Sequence, residues 1–197
     1  MALKVKRVEL TPIAAMGCRI ENLFPDQLGE EAIFHCETYD SELICGYFVP
    51  FTDYLAENSY LPVATSGLVI CEGEILIGKR SAKMREYPLH FELIPSGGID
   101  RTADGTEELL RQCTGDTGID SSCVREITPL VLIEDCFQRS LDICMVIELS
   151  DRPELHMCHE GYTGARWVSI EEFRLLIEAA PVVPTSVALF EYWQSSQ

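Results

Sequence analysis

Few segments of this 197-residue chain gather reactive side chains closely. Gly73-Glu-Ile-Leu-Ile-Gly78-Lys79 has the G-x-x-x-x-G-K spacing of a phosphate-cradling loop. The residues between its glycines are strand formers, however, and Arg80 stands where a magnesium-binding Ser or Thr is required. A strand cannot also turn its backbone N–H groups onto a phosphate, so the match is rejected. It leaves a local basic pair, Lys79 and Arg80, whose guanidinium suits bidentate binding of a ligand phosphate. An ion pair with one of the many acids is the competing use of Arg80. His156, Cys158, His159 and Glu160 collect metal-ligating groups, but in extended chain positions 156 and 159 point to opposite faces. Zinc would need further partners that the sequence does not identify, so a solvated loop is expected there. No G-x-S-x-G elbow is found. The informative segment is Phe91-Glu-Leu-Ile-Pro-Ser-Gly97-Gly98-Ile-Asp100, followed by Thr106 to Asp120.

These residues must be positioned by the elements around them. SGLVICEG and EILIGKRS read as two strands joined by a Glu72–Gly73 turn, and FELIP as a short strand running into a turn at Ser96, Gly97 and Gly98. Residues 106–117 carry apolar side chains at 109, 110 and 113, a helical spacing that turns Leu109, Leu110, Cys113 and Thr117 toward the core. Thr106 is the expected N-cap, with Glu107 and Glu108 at the positive end of the helix dipole, and Gly118 the expected stop. TPLVLIE and DICMVIEL read as buried strands and ARWVS as a shorter one. Helices over 170–180 and 185–194, each behind a capping Ser or Thr, close the chain. The first sixty residues mix short apolar runs with turn formers and read as a small α/β appendage. Strands alternating with helices, around a hairpin-like pair, predict a mixed sheet covered by helices.

A strand, a Gly-Gly turn, a loop and a helix ending in Thr-Gly-Ile resembles the Nudix box of Nudix hydrolases, G-x5-E-x7-R-E-U-x-E-E-x-G-U with U aliphatic. Set without gaps over 97–119, Gly97, Arg111, Asp116, Gly118 and Ile119 match the pattern, and Cys113 matches the first U loosely. Ala103, Gln112 and Gly115 replace three of its glutamates. ARWVSIEEF is similar to the family's Trp-containing strand and following helix. The resemblance implies an α/β fold: a Nudix-like α/β/α sandwich with a mixed β-sheet over 61–197, plus a small N-terminal α/β extension over 1–60 of unassigned role.

It also implies a site. Positions 112, 115 and 116 share one helical face, where three carboxylates would hold Mg²⁺ or Mn²⁺ to polarise a diphosphate and activate water. Here Asp116 is the carboxylate and Gln112 offers a neutral carbonyl, with the Gly97 backbone carbonyl as a further ligand. Glu108 lies on the same stripe, but two turns away, about 12 Å at 1.5 Å per residue, too far to share an ion with Asp116. Asp100, Asp104, Glu134 and Asp135 are the nearby acids that could swing toward the site. The expected catalytic residues are Asp116 and Gln112, the substrate-binding residues Arg80 and Lys79, and the metal ligands Asp116, Gln112 and Gly97. Glu92 and Arg111 are expected to make structural contacts.

The composition bounds the partners. Lys and Arg number 15 against 32 Asp and Glu, a net charge of −17, and the basic residues are scattered. Such a surface repels nucleic acid and anionic membranes, so the expected partner is a small phosphorylated metabolite. The nine cysteines form no C-x-x-C pair, and Glu9 interrupts Met1–Val8 before any apolar leader forms. Reduced thiols in a cytoplasmic protein are expected. A homodimer through the extension has no sequence signature for or against it. The function implied is a Mg- or Mn-dependent pyrophosphohydrolase acting on a nucleoside diphosphate linked to another moiety, weakened by its missing carboxylates. The alternative is a non-catalytic nucleotide-binding or protein-interaction module on the same fold.

Overall fold

The computed structural model describes residues 9–12, 19–24, 31–40, 42–57, 59–156 and 160–197. Residues 1–8, part of the 13–20 apolar run, and residues 157–159 of the His-Cys-His cluster lie outside the described residues.

The strand best read from the sequence shows why the sheet is central. In β10 (Ser140–Leu149), Leu141, Ile143, Met145 and Ile147 enter one apolar cluster while Cys144 and Val146 enter another. A strand apolar on both faces requires cover on both. Around it run β1 (Glu9–Pro12), β5 (Val63–Cys71), β6 (Glu74–Arg80), β9 (Val124–Asp135) and β11 (Tyr162–Ser169), in the order β1-β9-β10-β5-β6-β11. β10 and β5 pair in parallel, and the other pairs are antiparallel. β5 and β6 meet only beside their turn, at Ile70↔Ile75 and Cys71↔Glu74. They then part, and β7 (Phe91–Leu93) joins β6 while β8 (Ser96–Gly98) joins β5. The predicted Gly-Gly turn is therefore a short strand, with Thr65 opposite Gly97. Sheet pairing overrides the local turn tendency of glycine here.

One face of the sheet is covered by α2 (Gly105–Thr117), through Leu109 and Cys113, and by a smaller sheet. That sheet has the order β2-β4-β3, from β2 (Arg19–Asn22), β3 (Ala32–Tyr39) and β4 (Leu43–Pro50), and is followed by the short helix α1 (Phe51–Ala56). The opposite face is covered by α3 (Ile170–Ala179) and α4 (Pro184–Ser195), with Phe173, Leu189 and Phe190 in the core. The result is an α/β/α sandwich on a mixed sheet. The first sixty residues contribute to both sheets, because β1 pairs with β9. No helix of the described residues is long and apolar enough to cross a membrane. The cysteines among the described residues are free of disulfides.

Three local details depart from expectation. Asp104, not Thr106, caps α2: its Oδ1 accepts from the backbone N–H of Thr106 and of Glu107, both at 2.9 Å. Leu110 is only half-buried, so Leu109 and Cys113 carry the packing. α4 begins with Pro184 behind Val183 and has no side-chain cap, whereas Ser169 and Glu172 form a full capping box on α3. Replacing Asp104 by Ala is expected to cost about 1 kcal/mol, read as a fall in Tm of about 2–4 °C. A change below 1 °C would show that α2 is held by packing alone.

Candidate functional site

Where β5 and β6 part, the chain leaves a groove of about 240 Å³ between β8 and α2. Gly97, Gly98 and Asp100 line one side, Arg111, Gln112, Gly115 and Asp116 the other, with Met84 and Tyr162 among the remaining lining residues. The structure thus brings together Asp116, Gln112 and Gly97 of the predicted site. Arg80 and Lys79 are absent from the groove lining.

Gln112 is buried, and its amide is fully engaged. Its Oε1 accepts from the Thr65 hydroxyl at 2.9 Å, and its Nε2 donates to the Gly98 carbonyl at 3.0 Å and to Glu108 Oε1 at 3.2 Å. The amide ties α2 to β5 and β8. Gly97 permits this approach, since a Cβ there would lie 3.2 Å from Gln112 Nε2. Glu108, on the same stripe two turns away, is fully buried. Its Oε1 accepts from Arg111, through Nε at 3.0 Å and through Nη2, and the same Nη2 donates to Asp100 Oδ1 at 2.7 Å. Arg111 is therefore shared between two acids near the groove, Asp100 and Glu108. Asp116 is the remaining carboxylate of the lining, and it is half-exposed. A Cβ at Gly115 would meet no atom within 4 Å, so the helix face beside Asp116 is open.

Arg80 turns inward. Its Nη1 donates to both carboxylate oxygens of Glu92 at 2.8 Å, and its Nε donates to the Glu86 carbonyl at 3.1 Å. The Tyr162 hydroxyl donates to Glu92 Oε2 at 2.9 Å. All three side chains are buried, so the expected phosphate ligand is a structural partner of Glu92. Lys79, next on the strand, points to the other face, with Nζ 5.4 Å from the centre of the Phe91 ring. Period-two alternation separates the two basic residues. The expected structural role of Glu92 agrees with this geometry. Burial pushes the Tyr162 phenol well above its usual range and the Cys113 thiol up to about 11, so neither supplies an anionic nucleophile near neutrality.

The other acids raised by the sequence have structural partners. Asp104 caps α2, Glu134 accepts from the Tyr39 hydroxyl at 2.8 Å, and Asp135 accepts from the Tyr87 hydroxyl at 2.9 Å. Among the described residues no cluster of three or more His, Cys, Asp or Glu is placed to hold a metal ion. The donors fit a different mode. Mg²⁺ retains several waters and commonly binds through one or two carboxylates together with substrate phosphates. Asp116 suits that role, while the Gln112 carbonyl is buried and accepts from the Thr65 hydroxyl. Met84 and Tyr162 line the groove without having carried any sequence signal, since distant segments bring them together.

No family model matches the chain, and no curated protein does. Solved structures do. The DR0079 protein of Deinococcus radiodurans matches with a TM-score of 0.63 at 14% identity, over 83% of this chain and 99% of that one. The Nudix domain of Shewanella oneidensis NrtR, solved in complex with ADP ribose, matches with a TM-score of 0.57 at 15% identity, over 75% and 99%. A MutT Nudix hydrolase from Burkholderia pseudomallei matches with a TM-score of 0.51 at 16% identity, over 66% and 95%. At these identities the likeness is one of fold.

Proposed function

We propose that this chain, which has the Nudix fold, is a slow hydrolase of nucleoside diphosphates linked to another moiety, aided by Mg²⁺ or Mn²⁺ that arrives on the substrate. The carrying observation is the groove between β8 and α2, whose lining includes the half-exposed carboxylate of Asp116 beside the Gly97–Gly98 backbone. The ADP ribose held by the NrtR Nudix domain supports the same substrate class. When bound, the metal supplies charge neutralisation of the diphosphate and a more acidic water. The chain supplies the rest. Asp116 anchors the incoming ion, and Arg111, shared between Asp100 and Glu108, offsets part of their repulsion of the phosphates. Gly97 and Gly98 present backbone without side chains, which lets a phosphate approach the sheet closely. Turnover is slow because one carboxylate fixes the ion less firmly than several, and electrostatic stabilisation depends on donors held in place beforehand.

A screen over ADP-ribose, nucleotide sugars, dinucleoside polyphosphates and nucleoside triphosphates, with Mg²⁺ and with Mn²⁺ and with release of the nucleotide product followed by anion-exchange chromatography, tests this reading. Slow release from at least one diphosphate is expected, with loss in Asp116→Ala. Mn²⁺ alone should bind weakly, and Gly115→Glu should tighten it severalfold by adding a carboxylate where there is room. Gln112→Glu is a poorer repair, since it would set a carboxylate against Glu108 and the Gly98 carbonyl. Diphosphate binding with no release across the whole screen would overturn the hydrolase and leave a binding module.

A further inference from the structure

A second, larger cleft lies beyond Met84. It measures about 790 Å³, within the usual range for small-molecule sites, and its walls come from α1 and the residues after it, the 85–90 segment, and the turn between β9 and β10. Its lining is rich in rings, with Tyr54, Tyr60, Tyr87, His90 and Phe137. Tyr87 and Phe137 are stacked, with centroids 5.9 Å apart and planes at 29°. Phe137 is 72% exposed, so its ring is open to solvent at the cleft.

The cleft is rigidly built. Buried Asp135 holds both stacked residues: its Oδ2 accepts from the Tyr87 hydroxyl at 2.9 Å and its Oδ1 from the Phe137 backbone N–H at 2.8 Å. Arg80 steadies the same wall from below through the Glu86 carbonyl. Among the described residues, four non-glycine residues have positive φ, and three of them are here: Tyr87 at 46°, Leu89 at 64° and Arg139 at 59°. Left-handed backbone at bulky residues costs energy and gathers where function demands a particular shape. Two arginines, Arg85 and Arg139, line the cleft of a chain with net charge −17, together with Glu57 and Glu86. Arg85 pairs with Glu86 at 3.1 Å and lies over the Tyr54 ring.

We infer that this cleft binds the planar base of a purine nucleotide, stacked on Phe137 against Tyr87. The inference rests on the proposed function for its direction. Met84 lines the groove beside Asp116, and the next four residues line the cleft, so a nucleotide with its base in the cleft runs its phosphates toward the groove. Aromatic rings held at low conformational cost suit a flat base, which presents a π face to them.

Calorimetric titration of the full chain with AMP tests the cleft separately from turnover, because AMP has no phosphoanhydride to hydrolyse. Ribose 5-phosphate is the base-free control. The wild type is expected to bind AMP and to bind ribose 5-phosphate much more weakly. Phe137→Ala should weaken AMP binding roughly tenfold or more, as loss of one stacking partner does, and Phe137→Trp should retain it. The exposure of Phe137 lets both variants fold, which circular dichroism checks. Equal AMP affinity in Phe137→Ala, or no AMP binding by the wild type, overturns the inference. Diphosphate cleavage with an unchanged KM in Phe137→Ala would overturn the cleft and leave the hydrolase standing. AMP binding through Phe137 without release from any diphosphate would do the reverse.

Discussion

Replacing Arg80 by Met is expected to destabilise the protein by about 3–5 kcal/mol, lowering Tm by about 6–20 °C. The cause lies in what remains. Glu92 is 3% exposed and would be left in the interior without its counter-ion, with the Tyr162 hydroxyl still donating to it. Water cannot reach it, and a buried charge without its counter-ion costs several kcal/mol. The double variant Arg80→Met with Glu92→Gln removes both charges and should recover most of the loss, so the cycle reports coupling between the two positions. Lys79→Ala, one residue away on the opposite face, is expected to change stability by less than about 0.5 kcal/mol. Thermal unfolding of the wild type, these three variants and Glu92→Gln alone, which completes the cycle, settles the matter. A loss below about 1 kcal/mol in Arg80→Met would mean that the pair is not desolvated as its geometry implies. The same logic governs any ligand assay: a weakened ligand response in the single Arg80 variant reads as lost structure, and only the double variant separates folding from binding.

Asp142 should make stability depend on pH in the direction opposite to most carboxylates. It is fully buried beside β5, accepting from the Ser140 hydroxyl at 2.8 Å and the Ser66 hydroxyl at 3.1 Å. Burial raises its pKa to about 6 from the ordinary 3.8, the two serines pull it down in part, and the charges of Asp135 and Glu92 add to the rise. The folded protein therefore holds this proton more tightly than the unfolded chain. Between about pH 4 and pH 6 the unfolded state binds fewer protons, so the contribution of Asp142 is intact below pH 4 and is lost as pH rises through 6. At 1.36 kcal/mol per unit, the loss amounts to about 3 kcal/mol by pH 7. Other carboxylates titrate in the same window, so the quantity to follow is the stability of the wild type minus that of Asp142→Asn, by denaturant unfolding from pH 4 to pH 7. That difference should decline across the window by about this amount. A flat difference would show that Asp142 is as easily ionised in the folded protein as in the unfolded one.

Much of this fold follows from short stretches of sequence. The alternation in β10 specifies a strand buried on both faces, because adjacent side chains point in opposite directions whatever lies beyond them. Helix α2 and its stop at Gly118, whose φ is 73°, depend on residues a few positions apart, as does the Ser169 capping box of α3. The Glu72–Gly73 turn is equally local, with both residues at positive φ. Grouping Gln112, Gly115 and Asp116 on one side of α2 required only helical geometry.

What those residues do was decided by partners remote in sequence. A polar side chain on a helix reads as solvated unless its neighbours are known, so Glu108 and Gln112 carried no local mark of burial. Thr65 lies 47 positions from Gln112, and its hydroxyl, with the Gly98 carbonyl, turns that glutamine from a candidate ligand into a tie between helix and sheet. Arg80 is redirected in the same way by Glu92 on β7 and Tyr162 on β11. β8 escaped detection because Ser-Gly-Gly favours a turn on its own, and only the edge left by the parting of β5 and β6 makes it a strand. The aromatic cleft left the faintest sequence trace of all. Its rings come from positions 54 to 60, 87 to 90 and 137, and no periodicity links segments that only the folded sheet brings together. Backbone preferences and side-chain alternation act over a few residues and can be read one segment at a time, whereas desolvation and charge pairing depend on which segments meet, and that is set by the tertiary structure.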